Sequence, residues 1–316
     1  MRRIKGLGPL FAAMIILLIL FGVMVPNFLT RENLLDLLQQ ISVNAIIAFG
    51  MTLTIMIGGI DLSVGAVLAL VGTSTIYVLS FGDAETQSLL HFVLAILTGL
   101  GVAGAFGAFN GVCAAKTKMP PFIITLATMM IARGSAYCFN QARPIPIADH
   151  QTVFLTIGNG RLFGVIPIPV LIMLVLFAVA GILLHRTRFG QHLYAIGGNR
   201  EAARFTGIPL ARTQIIVYIL CAVFTGIAGM INVSQLYSAE PAAGIGFELD
   251  AIAAAVVGGT SFTGGIGTMN GTLIGAIIIG ILDKGLNQAG VHFSIQDIVK
   301  GFVILAAVYM DVRRRK

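Results

Sequence analysis

Charged side chains are scarce in this 316-residue chain, at 10% of all residues, compared with about 25% in an ordinary soluble domain. Hydrophobic residues make up 57% of the chain, and apolar runs of about twenty residues, the length that spans a bilayer, recur throughout. This composition leaves no room for a separate water-soluble domain. It predicts one integral membrane domain over residues 1–316.

Residues that carry metal or nucleophilic chemistry are also few. The three cysteines are odd in number and lack metal-ligand spacing, so Cys113, Cys138 and Cys221 are expected to serve packing. The five histidines are scattered over segment ends and loops and have no i, i+4 pair. No G-x-x-x-x-G-K-[ST] phosphate loop occurs, because the only Lys-Thr pair, at Lys116, follows Ala-Ala. We therefore expect no catalytic residue, metal or cofactor in this chain, and no enzyme activity of its own.

The apolar runs predict an all-α, polytopic bundle of about ten membrane-spanning helices. Their ranges are 7–25, 41–57, 62–80, 89–112, 121–137, 166–184, 213–233, 249–259, 268–282 and 295–310. The eighth run is too short for a straight crossing, which indicates a broken, tilted or re-entrant segment. The first run follows a basic start like that of a signal peptide, but its length and the lack of a small-x-small cleavage site favour a retained helix.

Basic residues collect on alternate connections between these runs. With the N-terminus inside, fourteen of the twenty Lys and Arg residues fall in cytoplasmic segments and only Arg31, Arg143, Arg161 and Lys284 fall outside. Cytoplasmic loops are the ones that accumulate Lys and Arg. Both termini and a loop at about 185–212 are therefore predicted to be cytoplasmic. The net charge of +7 needs no nucleic acid to explain it.

One polar, glycine-rich segment, GQHLYAIGGNREAARFTGIP at Gly190–Pro209, interrupts the apolar pattern. Asn199 can cap a short helix with Glu201 in its first turn, where the helix dipole favours an anion. Gly207 and Pro209 would end this helix.

Small residues surround the same helix. Ala202 and Ala203 would leave a flat surface for another backbone, and Gly197 and Gly198 would permit a sharp entry turn. Two interpretations stay open at this point: a rigid docking element for a cytosolic partner, or an ordinary solvated loop with a capped helix.

Four segments resemble one family in the same order along the chain. They are MTLTIMIGGIDLSVGAVLAL from Met51, PPFIITLATMMIARG from Pro120, AIGGNREAARFTGIP from Ala195 and ELDAIAAAVVGGTSFTGGIGTMNGTLIGAIIIGIL from Glu248. The family is the ribose-type carbohydrate permeases, the transmembrane subunits of bacterial ATP-binding-cassette sugar importers. The similarity covers nearly the whole chain.

The resemblance implies a multi-pass permease of the bacterial cytoplasmic membrane that carries a monosaccharide. Its implied partners are a cytosolic ATPase subunit that holds the ATP and Mg²⁺, a periplasmic or lipid-anchored sugar-binding protein, and a second permease chain that is identical or a sister. The binding protein would meet the outer loops, including Cys138–Val165 and Ser234–Phe247. The residues implied for coupling to the ATPase are Gly198, Asn199, Glu201, Ala202, Ala203, Thr206 and Gly207.

Polar residues inside the predicted spans are candidates for the translocation pathway, because an ionised group at a helix centre costs roughly 2.5–3.5 kcal/mol on insertion scales. These candidates are Asn44, Asp61, Ser63, Asn110, Arg133, Asn270 and Asp297. Two alternatives stay open: Asp297 could pair with Lys300 on one helix, and Asp61 could cap or stabilise a glycine-rich hairpin.

Two further hypotheses accompany the importer. An ion-coupled secondary sugar transporter is the main alternative, although such proteins place an ionisable relay at the membrane midplane. A passive channel or membrane scaffold would leave the basic, capped segment unexplained. The glycine-rich hairpins at Ile57–Gly65 and Val257–Gly265 also allow a parallel internal repeat of the two halves.

Overall fold

The computed structural model describes residues 8–81 and 89–313, and helices form most of it. The helices are α1 Gly8–Met24, α2 Arg31–Met56, α3 Val64–Leu79, α4 Leu89–Lys116, α5 Pro121–Cys138, α6 Thr152–Asn159, α7 Ile168–Arg186, α8 Arg188–Gly198, α9 Arg200–Phe205, α10 Leu210–Leu236, α11 Phe247–Val257, α12 Met269–Gln288 and α13 Phe293–Arg313. A 3₁₀ helix at Phe139–Ala142 follows α5, and two antiparallel pairs of two-residue strands complete the structure: β1 Ile145–Pro146 with β4 Ser238–Ala239, and β2 Arg161–Leu162 with β3 Ile166–Pro167. The chain is all-α in class, as predicted.

Each predicted span contains one helix, but not every helix has the length and composition of a span. Among the described residues, six helices are long and apolar enough to cross a membrane: α2, α4, α5, α7, α10 and α12. Helices α1 and α3 are apolar but shorter, at 17 and 16 residues. Helix α11 has 11 residues and is roughly 16 Å long, which confirms that the eighth run cannot cross as a straight helix.

Several boundaries differ from the predictions. Helix α2 begins at Arg31 and not near residue 41, because Thr30 caps it by accepting a hydrogen bond from the N–H of Asn33 (3.4 Å), and the polar residues that follow continue the helix. Helices α6 and α8 were not predicted. The basic residues Arg2, Arg3 and Lys5 and the C-terminal 314–316, on which part of the predicted orientation depends, lie outside the described residues.

Helix α2 is the centre of the molecule. From Ile41 to Ile57 its residues are almost all buried, and α7, α10, α11 and α12 pack around it. One buried cross-link joins α2 to α12, where the hydroxyls of Thr52 and Thr272 lie 2.7 Å apart. By contrast, α1, α4, α7 and α13 expose large apolar side chains, among them Ile16, Leu97, Val175 and Phe302. These four helices therefore form an apolar periphery suited to lipid or to a second chain.

The two glycine-rich hairpins lie against each other. Gly58 in the first and Gly259 in the second have positive φ angles of 75° and 89°, a conformation that glycine adopts without strain. The N–H of Gly265 donates a 2.9 Å hydrogen bond to the carbonyl oxygen of Met56. The ends of α2 and α11 are thus joined through their hairpins, and the internal repeat stays a hypothesis.

Candidate functional site

The polar segment folds as two consecutive helices, α8 and α9, which share one capping residue. Asn199 ends α8 through its N–H, which donates to Ala195 O (3.0 Å). Its side-chain Oδ1 begins α9 by accepting from the N–H of Ala202 (2.9 Å). The predicted short helix, its cap and the acidic first turn at Glu201 are therefore confirmed.

Most residues implied for coupling are exposed. Gly198, Asn199, Glu201, Ala202, Thr206 and Gly207 all lie on the surface of this segment. Ala203 does not, because it is only 3% exposed and packs into the core. The expected flat surface of paired alanines was therefore wrong, since only Ala202 faces outward. Phe205, which the sequence did not single out, is 86% exposed. An exposed aromatic ring between Arg204 and Thr206 adds an anchor of the type that partner surfaces bury.

Gly197 joins the polar segment, α8 and α9, to both hairpins. A methyl group at Gly197 would overlap the carbonyl oxygen of Met56 and the backbone nitrogen of Gly265. Tyr194, one turn earlier, donates its hydroxyl hydrogen to Gly267 O (2.8 Å). The expectation that Gly197 supplies a turn was wrong: it lies inside α8 with negative φ, and it is small so that three backbones can meet.

Three of the pathway candidates belong to one buried network. The Ser63 N–H and hydroxyl both donate to Asp61 Oδ1, the N–H at 2.9 Å. Asn110 of α4 donates to Ser63 Oγ (3.0 Å) and accepts from the hydroxyl of Thr128 on α5 (2.7 Å). This network ties the first hairpin to α4 and α5. The geometry favours hairpin stabilisation over direct sugar contact for Asp61.

A second network surrounds Lys300 of α13. Its Nζ lies 3.1 Å from Asp250 on α11, 3.5 Å from Asp283 on α12 and 3.7 Å from Asp297 on its own helix. The intrahelical pair with Asp297 exists, but the Asp297 side chain is 72% exposed, whereas those of Asp250 and Asp283 are 10% and 21% exposed. The stronger ties therefore run between helices. Asn44 lines a recess beside this network together with Asp250 and Asp283.

Replacing Lys300 with methionine is expected to destabilise the protein by roughly 3–5 kcal/mol, because Asp250 and Asp283 would lose the cation that compensates their burial. Asp297→Asn removes an exposed partner of the same lysine and is expected to cost at most about 1 kcal/mol. Thermal unfolding of the purified protein in detergent measures both variants. Equal effects of the two substitutions would contradict the importance assigned to the interhelical pairs.

The remaining pathway candidates lie apart from these networks. Arg133 of α5 donates from Nη1 to the carbonyl oxygens of Pro241 and Ala243, both at 2.7 Å, and so holds the loop between α10 and α11. Asn270 lies exposed in the first turn of α12. The seven candidates therefore fall in four places among residues 8–81 and 89–313, and their part in a translocation pathway stays a prediction.

Comparison with known proteins supplies the remaining evidence. A family model described as branched-chain amino acid transport system / permease component matches residues 33–308. The chain is 44% identical to the ribose import permease protein of Bacillus subtilis, over 98% of this chain and 94% of that protein. It is 36% identical to the L-arabinose transport system permease protein of Escherichia coli, over 95% and 89% of the two chains. The D-allose transport system permease protein of the same organism is 38% identical, over 95% and 90%. No solved structure gives a significant match.

Proposed function

This chain belongs to the branched-chain amino acid transport system / permease component family, and we propose that it is the transmembrane permease subunit of a bacterial importer for a monosaccharide. The single observation that carries the proposal is near-full-length similarity to permeases named for ribose, L-arabinose and D-allose. D-Ribose, as the sugar of the relatives with 44% identity, is the first substrate to test.

The free energy for import comes from a cytosolic ATPase subunit that binds the coupling segment, α8 and α9. The exposed residues of α9 provide its contact surface, with Phe205 as the apolar anchor and Glu201, Arg200 and Arg204 as charged neighbours. Such a surface, an aromatic centre with a polar rim, is typical of protein interfaces. Because Asn199 caps both helices, the two helices move together when the partner moves.

The permease crosses the cytoplasmic membrane about ten times with both termini inside. The distribution of Lys and Arg supports this orientation, and the six long apolar helices support the multi-pass architecture. A second permease chain completes the pathway, and a sugar-binding protein delivers the substrate to the outer loops.

An ion-coupled mechanism is not favoured. The relatives are permease proteins of import systems for the three sugars. In addition, Lys300 forms an ion pair with each of three aspartates, Asp250, Asp283 and Asp297, whereas an ion-coupled transporter usually uses an ionisable relay at the membrane midplane.

Sugar uptake into vesicles that contain the permease, its ATPase and its binding protein tests this function. We expect D-ribose uptake to require ATP inside the compartment that holds the ATPase and to persist with a protonophore. Uptake that survives ATP depletion and stops with the protonophore would contradict the proposal and favour the ion-coupled alternative.

A further inference from the structure

A half-open groove lies between the last turns of α5 and the start of α11. It has a volume of about 350 Å³, within the range of roughly 300–1,000 Å³ that small-molecule sites occupy. Its walls include Met130, Gly134 and Tyr137 from α5 together with Ile245 before α11. Two charged residues, Arg133 and Glu248, complete it. None of the networks described above fills this space.

The charges indicate that the groove faces water and not lipid. A charged side chain on a lipid-facing wall is costly, up to roughly 2.5–3.5 kcal/mol at a helix centre, and this groove holds one basic and one acidic group beside its apolar walls. Arg133 lies in α5 near the end that the distribution of Lys and Arg places outside. This is the side from which an imported solute arrives.

Both charged groups are held in place by the backbone. Arg133 is fixed by its two carbonyl acceptors in the 241–243 loop. Glu248 accepts from the N–H of Gly246 (3.3 Å) through Oε1. Its Oε2 lies against Gly65, where a methyl group would collide with it. The groove therefore presents preoriented polar groups, which lose little conformational entropy when a ligand binds.

We propose that this groove is a sugar-receiving site at the outer mouth of the permease, which takes a monosaccharide from the binding protein. The assignment rests on the proposed function and names the residues that contact the sugar. The Glu248 carboxylate accepts hydrogen bonds from sugar hydroxyls, and the free N–H groups of Arg133 donate to them. The exposed ring of Tyr137, with Met130 and Ile245, covers the apolar C–H face of the sugar ring.

Site-directed thiol labelling tests the site. Ile245, which is 69% exposed, is replaced with cysteine in a Cys138→Ser chain, because Cys138 is itself exposed. A membrane-impermeant thiol reagent is added outside, with or without D-ribose, L-arabinose or D-allose. We expect rapid labelling that slows about tenfold when the sugar is present at about ten times its dissociation constant. Adding Glu248→Gln should raise the protecting concentration about tenfold or more.

Controls separate this site from the transport function. The first control is Leu97→Cys, on the apolar face of α4, where the leucine is 58% exposed. This variant should react slowly with the reagent, and the sugars should not protect it. The second control is sucrose, which should protect neither variant. Failure of Ile245→Cys to react, or labelling that every monosaccharide leaves unchanged, would overturn the sugar site. ATP-driven uptake by the unmodified chain, measured in parallel, reports separately on whether the chain is an importer subunit.

Discussion

Replacing Gly197 with alanine is expected to lower the free energy of unfolding by about 3 kcal/mol, the upper part of the range for forcing a methyl group into a packed interior. The new methyl would overlap Met56 O and Gly265 N, so the hydrogen bond that joins the two hairpins could not keep its geometry. Thermal unfolding in detergent measures the loss. ATP-driven uptake should also decrease, because α8 would no longer pack against the two hairpins.

The adjacent glycine is a matched control. Gly198 lies in the same last turn of α8, and a methyl group there would meet nothing within 4 Å. Gly198→Ala is therefore expected to leave stability unchanged or to raise it by up to about 1 kcal/mol through better helix propensity. If both variants unfold at the same temperature, the close approach of three backbones at Gly197 does not matter for stability.

Replacing Phe205 with alanine is expected to weaken binding of the ATPase subunit about thirtyfold, the effect of losing an interface anchor worth about 2 kcal/mol. Stability should be unaffected, because the ring is 86% exposed and contributes little packing within this chain. The measurement is the affinity of the purified ATPase for the permease in lipid nanodiscs, followed by ATP-driven uptake at limiting ATPase.

Phe163 provides the comparison for this prediction. It is 89% exposed and lies in the predicted outer loop, between β2 and β3. Phe163→Ala removes the same kind of ring from what is predicted to be the opposite side of the membrane and should leave ATPase affinity unchanged. If Phe205→Ala also left the affinity for the ATPase unchanged, the Phe205 ring would be assigned to the lipid headgroup region and not to the ATPase interface.

Local hydrogen-bonding chemistry made helix α9 predictable. Asn199, Glu201 and Gly207 are all cap or dipole signals that act within a few residues of one another, and α9 begins and ends where they indicate. Helix α8 was missed because its glycines read as a loop. Its buried residues, Gly190, Leu193 and Ile196, nevertheless recur every three positions, which is a helical spacing.

Contacts between distant segments were not predictable in the same way. The role of Gly197 depends on Met56 and Gly265, which are far away in the chain and meet only in the folded protein. Asp250 and Asp283 were not predicted as candidates. Asp250 lies inside a predicted span, so the cost of burying its charge already indicated that it needs a partner. The pathway candidates were chosen by the same argument, that a polar group inside a span is costly. This argument gives no information on which of the candidates lie together in the folded protein.

The side of the membrane on which α9 lies is the most direct test of the account. Ala202→Cys and Phe163→Cys are made separately in a Cys138→Ser chain and exposed to an impermeant thiol reagent in intact cells and in inside-out vesicles. We expect the Ala202 variant to react only in inside-out vesicles and to be protected when the ATPase subunit is bound, and the Phe163 variant to react only in intact cells. Labelling of the Ala202 variant in intact cells would place the coupling segment outside and contradict the proposed mechanism.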